Sequence, residues 1–99
     1  MITEIVKFKS QSVTTDEQLL SVLDKMINGL QKKQNGFIDA ELVKAMEDNT
    51  YSIIYHYQSI DQVKTSGEKL RASAIFQEFT KLIEPGSTEV NFYQPLSTY

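Results

Sequence analysis

The stretch Tyr51-Ser52-Ile53-Ile54-Tyr55-His56-Tyr57 constrains the fold more than any other part of the chain. It holds three tyrosines, two isoleucines and the chain's single histidine, and it carries no Asp, Glu, Lys or Arg. Aromatic and β-branched residues at this density read as a strand. Successive strand side chains point to opposite faces, so Tyr51, Ile53, Tyr55 and Tyr57 share one face while Ser52, Ile54, His56 and Gln58 share the other. A strand with one solvated side alternates apolar with charged residues, and this one does not. The expectation is a central strand covered on both faces.

The rest of the chain has to supply that cover within 99 residues. A chain of this length makes one domain, residues 1–99, and buries roughly 60–70% of its unfolded surface. Thirteen acidic and ten basic residues leave a net charge of −3. That balance disfavours nucleic-acid binding, which needs clustered Lys and Arg against phosphates. Lys7, Lys9, Lys32 and Lys33 read as solvated faces. The absence of cysteine excludes disulfides, thiolate nucleophiles and sulfur-rich zinc sites. One histidine and scattered carboxylates without ligand spacing call for no metal. The start, Met1 to Ile5, lacks a basic, long apolar leader, and no apolar run reaches membrane-spanning length. A cytoplasmic protein without a membrane partner is expected.

Taken in order, Ile2 to Lys9 reads as a strand with Ile2, Glu4, Val6 and Phe8 on one face. Glu4 is the polar exception on that apolar face, and reads either as a carboxylate reaching water or as a pocket acid or base. Thr14, Thr15, Glu17 and Gln18 offer a capping box, and Leu19, Leu23, Met26, Ile27 and Leu30 then follow one helical stripe. Lys32 and Lys33 suit its last turn, and Asn35-Gly36 a left-handed stop. Phe37 to Glu47 reads as a second strand whose broken alternation predicts either a bulge or an element whose two ends bury opposite sides. Residues 47–50 predict a tight two-residue hairpin into the Tyr51 strand.

Ser59 to Gln62 opens another helix. Its apolar positions follow two stripes: Ile60, Val63, Gly67, Leu70 and Ala74, then Ala72, Ile75, Phe76, Phe79, Leu82 and Ile83. One straight helix cannot bury both, so a break is predicted at residues 71–74, with Ser73 capping the second segment. Glu84-Pro85-Gly86 ends that segment. Thr88 to Gln94 is the last strand, finished or placed at an edge by Pro95.

The order strand, helix, strand, strand, helix, strand predicts an α+β, ferredoxin-like βαββαβ fold: a four-stranded antiparallel sheet in order 4-1-3-2 with the helices on one face. The helices then cover one side of the Tyr51 strand, and its other side predicts a homodimer packed sheet to sheet.

This order, the Asn35-Gly36-Phe37-Ile38 entry to strand two, the passage Tyr55-His56-Tyr57-Gln58-Ser59-Ile60-Asp61, and the Ala72-Ser73-Ala74-Ile75-Phe76 break together resemble the antibiotic biosynthesis monooxygenase family. The resemblance spans nearly the whole chain. It implies a dimeric α+β barrel with a pocket between sheet and helices, and a cofactor-independent monooxygenase activity on a small aromatic or quinone-like metabolite. The alternative within the same fold is a non-catalytic dimeric domain that binds a small ligand or simply packs. The chain has no tryptophan, and Tyr57 stands where the family's oxygenases frequently carry one. Phe76 stands near the position of the histidine of the haem-degrading branch.

Cofactor-free oxygenation needs a general base and hydrogen-bonding groups in a mostly apolar pocket. His56 is the candidate base, being of the type that titrates near neutral pH. Tyr55 and Tyr57 are candidates to orient a phenolate, Arg71 to hold an anionic group, and Glu4 and Phe76 to line the pocket. His56 and the tyrosines point to opposite faces, so an unbulged strand cannot put all three in one pocket.

Overall fold

The computed structural model describes residues 1–99. Its elements are β1 (Ile2–Lys9), α1 (Asp16–Gly29), β2 (Phe37–Lys44), β3 (Thr50–Tyr57), α2 (Ile60–Arg71), α3 (Ala74–Thr80) and β4 (Glu89–Tyr93). The strands form one antiparallel sheet in the order β2-β3-β1-β4, which is the order 4-1-3-2 read from the other edge. Against β1, β3 runs in unbroken register from Ile2 opposite Tyr57 to Lys9 opposite Thr50.

Local chemistry sets the helix boundaries. At α1 the Thr15 N–H donates to Gln18 Oε1 (2.9 Å) and the Gln18 N–H donates to Thr15 Oγ1 (3.2 Å), a complete capping box. Asp16, in the first turn, also accepts from the Tyr51 hydroxyl and from Lys44 Nζ, tying the helix start to β3 and β2. The Tyr51 hydrogen bond, followed by the Lys44 bond, holds the Asp16 carboxyl below its usual range. Ser73 caps α3 by accepting from the Phe76 N–H (3.3 Å) while donating to Leu70 O (2.6 Å). The two apolar stripes thus belong to two helices, and each turns its own stripe inward: Val63 and Leu70 from α2, Phe79 from α3.

The predicted bulge in β2 falls between Phe37 and Asp39. Three boundaries differ from expectation. The turn between β2 and β3 spans residues 45–49 rather than two residues, because a two-residue hairpin needs positive φ at its centre and no non-glycine residue here has it. Asp48 Oδ1 instead accepts from the Thr50 N–H (2.8 Å) inside a wider loop. Lys32 and Lys33 lie not in the last turn of α1 but in a separate 3₁₀ turn, Gln31–Lys33, since Leu30 leaves helical geometry. Gly36 supplies the left-handed residue after it, at φ 86°, where a Cβ would collide with the Gln62 side chain. The third helix stops at Thr80, short of Glu84, because Leu82 and Ile83 are used elsewhere. Gln11 N–H and Thr14 Oγ1 both donate to Leu82 O (2.9 Å each), and Ile83 pairs with Ser10.

All three helices lie on one face of the sheet. Tyr51, Ile53, Tyr55 and Tyr57 are buried under them with Phe8, Leu19, Leu23 and Met26. Phe8 stacks on Tyr51 (5.6 Å between centroids) and meets Phe79 edge-on (5.1 Å). The expectation that β3 is covered on both faces fails for the single chain. Its residues alternate between half-buried and fully buried, and only the helix side is closed.

Candidate functional site

The side-chain alternation of β1 and β3 aims Glu4, Val6, Ile53, Tyr55 and Tyr57 at the helices. The helices do not fill all the space above them. A cavity of about 320 Å³ remains between these strands and α2 and α3, at the small end of the usual range for small-molecule sites, about 300–1,000 Å³. Its walls are mainly apolar: Val63 and Leu70 from α2, Phe76 and Phe79 from α3, Met26 from α1, Ile83 beyond α3. Val90 of β4, about half exposed, is on its rim. A more open groove shares Glu4, Gly67 and Arg71 with the cavity and continues between α2 and β4 to Phe92.

Of the residues singled out in the sequence, Glu4, Tyr55, Tyr57, Arg71 and Phe76 all line this cavity. His56 does not. It sits on the opposite side of the sheet, with Nδ1 2.5 Å from Asp39 Oδ1. Because β3 keeps an unbroken register with β1, no bulge turns His56 round, and within one subunit it cannot serve as the base of this pocket.

The polar groups of the cavity are few and each has an identifiable environment. Burial pushes the Glu4 carboxyl up from 4.5 to about 6, with the charge of Arg71 pulling it part of the way back. Arg71 reaches back one turn along α2 and lies over Gly67: a Cβ there would be 3.1 Å from Arg71 Nη1. The Tyr55 hydroxyl donates to Gln31 Oε1 (2.9 Å), and Tyr57 Oη is 3.0 Å from Ser66 Oγ. Burial pushes both phenols above the usual tyrosine range, with their hydrogen bonds opposing, so both stay neutral at ordinary pH. The site therefore offers one titratable carboxyl, the exposed Arg71 guanidinium on its wall, and two neutral phenols, with Gln31, Thr80 and Thr88 among otherwise mainly apolar walls.

Gln31, Ser66 and Gly67 were missed as site residues. Ser66 lies three residues after Val63 and four before Leu70, so a signal existed: a small polar residue on the buried stripe of α2, and such a residue needs a partner. Gln31 gave none, since its burial depends on the turn that follows α1.

No family model and no curated protein matches this sequence. Solved structures do match, antibiotic biosynthesis monooxygenases among them, and the chain shares their ferredoxin-like α+β fold. One is a variant of SnoaB, a cofactor-independent oxygenase from Streptomyces nogalater, with a TM-score of 0.81 and 16% identity over 98% of this chain and 94% of that one. Another is the monooxygenase ActVA-Orf6 of Streptomyces coelicolor in complex with nanaomycin D, at TM-score 0.75 and 12% identity over 99% and 89%. A conserved protein from Methanosarcina mazei Go1 matches at TM-score 0.73 and 15% identity over 94% and 90%. At these identities the likeness is one of fold. No helix of the chain is long and apolar enough to cross a membrane.

Proposed function

We propose that this chain is a monooxygenase-like protein that takes a small aromatic or quinone-like metabolite into the cavity between sheet and helices. The observation that carries the reading is the half-buried Glu4 carboxyl on the wall of a mainly apolar cavity that Arg71 also lines, where burial raises it to about 6. A base in that range is deprotonated at neutral pH yet strong enough to take an acidic ring proton. Glu4 holds that proton while the anionic ring passes electrons to dioxygen. An activated ring carbon that loses two hydrogens becomes a carbonyl, and the second oxygen atom leaves as water, so the substrate itself supplies the electrons. Arg71 balances the developing anion, and Tyr55 and Tyr57 provide neutral hydrogen-bonding groups without competing for the proton. His56 takes no part. The names of SnoaB and ActVA-Orf6, both oxygenases, support this reading by fold.

Packing as a homodimer through the outer face of the sheet belongs to the same proposal. Ile5 faces Ile54 at its centre, and Val43 and Tyr93 are exposed on that side. A two-fold contact there would bury all four residues.

Oxygen uptake with electron-rich phenols and quinols tests the enzyme, together with thermal shift by the same compounds. Glu4→Gln should cut uptake by about 100-fold or more while the thermal shift persists, the typical loss for a general base. Uptake unchanged in Glu4→Gln would remove Glu4 as base. Binding without any uptake would favour the alternative, a non-catalytic ligand-binding domain.

A further inference from the structure

Gln31 is one of three polar residues that the fold buries, with 3% of its surface exposed. It begins the 3₁₀ turn after α1 and lines the cavity together with Met26. A glutamine amide carries an acceptor oxygen and a nitrogen with two donors. Oε1 accepts from the Tyr55 hydroxyl (2.9 Å), and Nε2 has no partner in the protein. Every buried side-chain polar atom that is sealed from solvent does have a partner. Nε2 is therefore open to free space, and the cavity is the space that Gln31 lines.

Tyr55 decides which end of the amide faces that way. Its hydroxyl belongs to a residue 2% exposed, and Gln31 is its one partner. If the amide turned over, Nε2 would donate to Tyr55 and the phenol proton would be buried without an acceptor, which is unfavourable. Burial also pushes the Tyr55 hydroxyl above the usual tyrosine range, so it keeps that proton. Thr80, Thr88 and Val90 of the cavity wall are exposed and mark its mouth, whereas Gln31, Tyr55 and Met26 are sealed and mark its inner end.

We propose that Gln31 is a specificity-determining residue of the cavity: its Nε2 donates to an acceptor oxygen of the ligand at the inner end, and Tyr55 is the positioning residue that keeps this donor turned inward. The proposal rests on the reading that the cavity takes a small aromatic molecule. It adds which polar group that molecule carries and where, an oxygen that accepts, remote from the mouth. A ligand with only a donor there either meets N–H with N–H or turns the amide over and strands the Tyr55 proton. Tyr55 thus acts on the ligand through Gln31.

Calorimetric titration with acetophenone, whose oxygen only accepts, and with indole, whose N–H only donates, tests this in wild type, Tyr55→Phe and the double variant Gln31→Met with Tyr55→Phe. Tyr55→Phe frees the amide to turn, so it should bind indole about five- to tenfold more tightly, the scale of one neutral hydrogen bond, and acetophenone within about twofold of wild type. The double variant removes both partners and orphans neither. It should bind acetophenone about five- to tenfold more weakly than wild type and indole within about twofold, which also reports a folded cavity. Unchanged acetophenone affinity in the double variant overturns Gln31 as donor, and unchanged indole affinity in Tyr55→Phe overturns the positioning role. Wild type that binds phenols but not acetophenone also overturns the inference, while the aromatic-ligand reading stands. If wild type binds neither probe and no phenol, that reading falls, and this inference with it.

Discussion

Glu4 on β1 stands directly opposite Tyr55 on β3, and the shared face of that pair looks into the cavity. A carboxylate in this position is costly to ionise, because its neighbours are an aromatic ring and apolar walls. Its pKa is raised to about 6 in the folded chain, so between about 4.5 and 6 the native state binds more protons than the unfolded one. Stability must then fall as pH rises through that window, and the penalty is complete above it. The shift corresponds to about 2 kcal/mol at full weight, and to on the order of 1 kcal/mol once the group's partial exposure is allowed for. Glu4→Gln should therefore stabilise the protein by about that amount at pH 8 and leave it unchanged at pH 4, as read by urea unfolding at the two pH values. The site would thus be held at a cost to stability.

Gly67 and Arg71 are one helical turn apart, and the guanidinium occupies the space that a side chain at position 67 would need. Alanine in a helix interior is favoured over glycine by about 1 kcal/mol. Gly67→Ala should accordingly hold or raise the melting temperature while displacing Arg71 from the cavity wall. Weaker binding of anionic phenols with no loss of thermal stability is the expected combination. Unchanged binding would mean that Arg71 is not needed where it now lies.

His56 pairs with Asp39 on the outer face of the sheet. His56→Ala should leave ligand-induced thermal shifts and oxygen uptake as they are in wild type. A large loss of uptake would require His56 to reach a cavity, which within a single subunit it cannot do.

Ile5 and Ile54 face one another at the middle of that same outer surface. Ile54→Glu would place a charge at the centre of the proposed two-fold contact, and burial of an unpaired charge is prohibitive. Sedimentation should show a dimer for wild type at micromolar concentration and a monomer for Ile54→Glu. A wild-type monomer would remove the proposed interface.

Much of the fold was legible because it is written in short-range chemistry. Thr15 with Gln18, Ser59 with Gln62 and Ser73 with Phe76 mark helix starts within one turn, and the change of apolar phase across residues 71–74 separates α2 from α3. The hairpin was misjudged because Asp48 and Asn49 suit several turns, and the choice among them depends on backbone angles that composition does not set. The outer side of β3, read by itself as uncharged, takes its polar surroundings from the neighbouring strand. Asp39 and Glu41 of β2 lie beside His56 and Ile54, a neighbourhood that exists only once register is set.

Strand alternation alone placed Glu4 on an apolar face and parted His56 from Tyr55 and Tyr57, since a period of two is local. Helical periodicity alone divided the last helical region in two. The tertiary structure decided the rest: that Glu4 and Arg71 line one chamber, that Tyr55 finds Gln31 while Tyr57 finds Ser66, and that a cavity survives above them. Whether side chains fill the space between a sheet and its helices depends on how far apart those layers settle and on where residues distant in sequence meet. No local pattern encodes that distance.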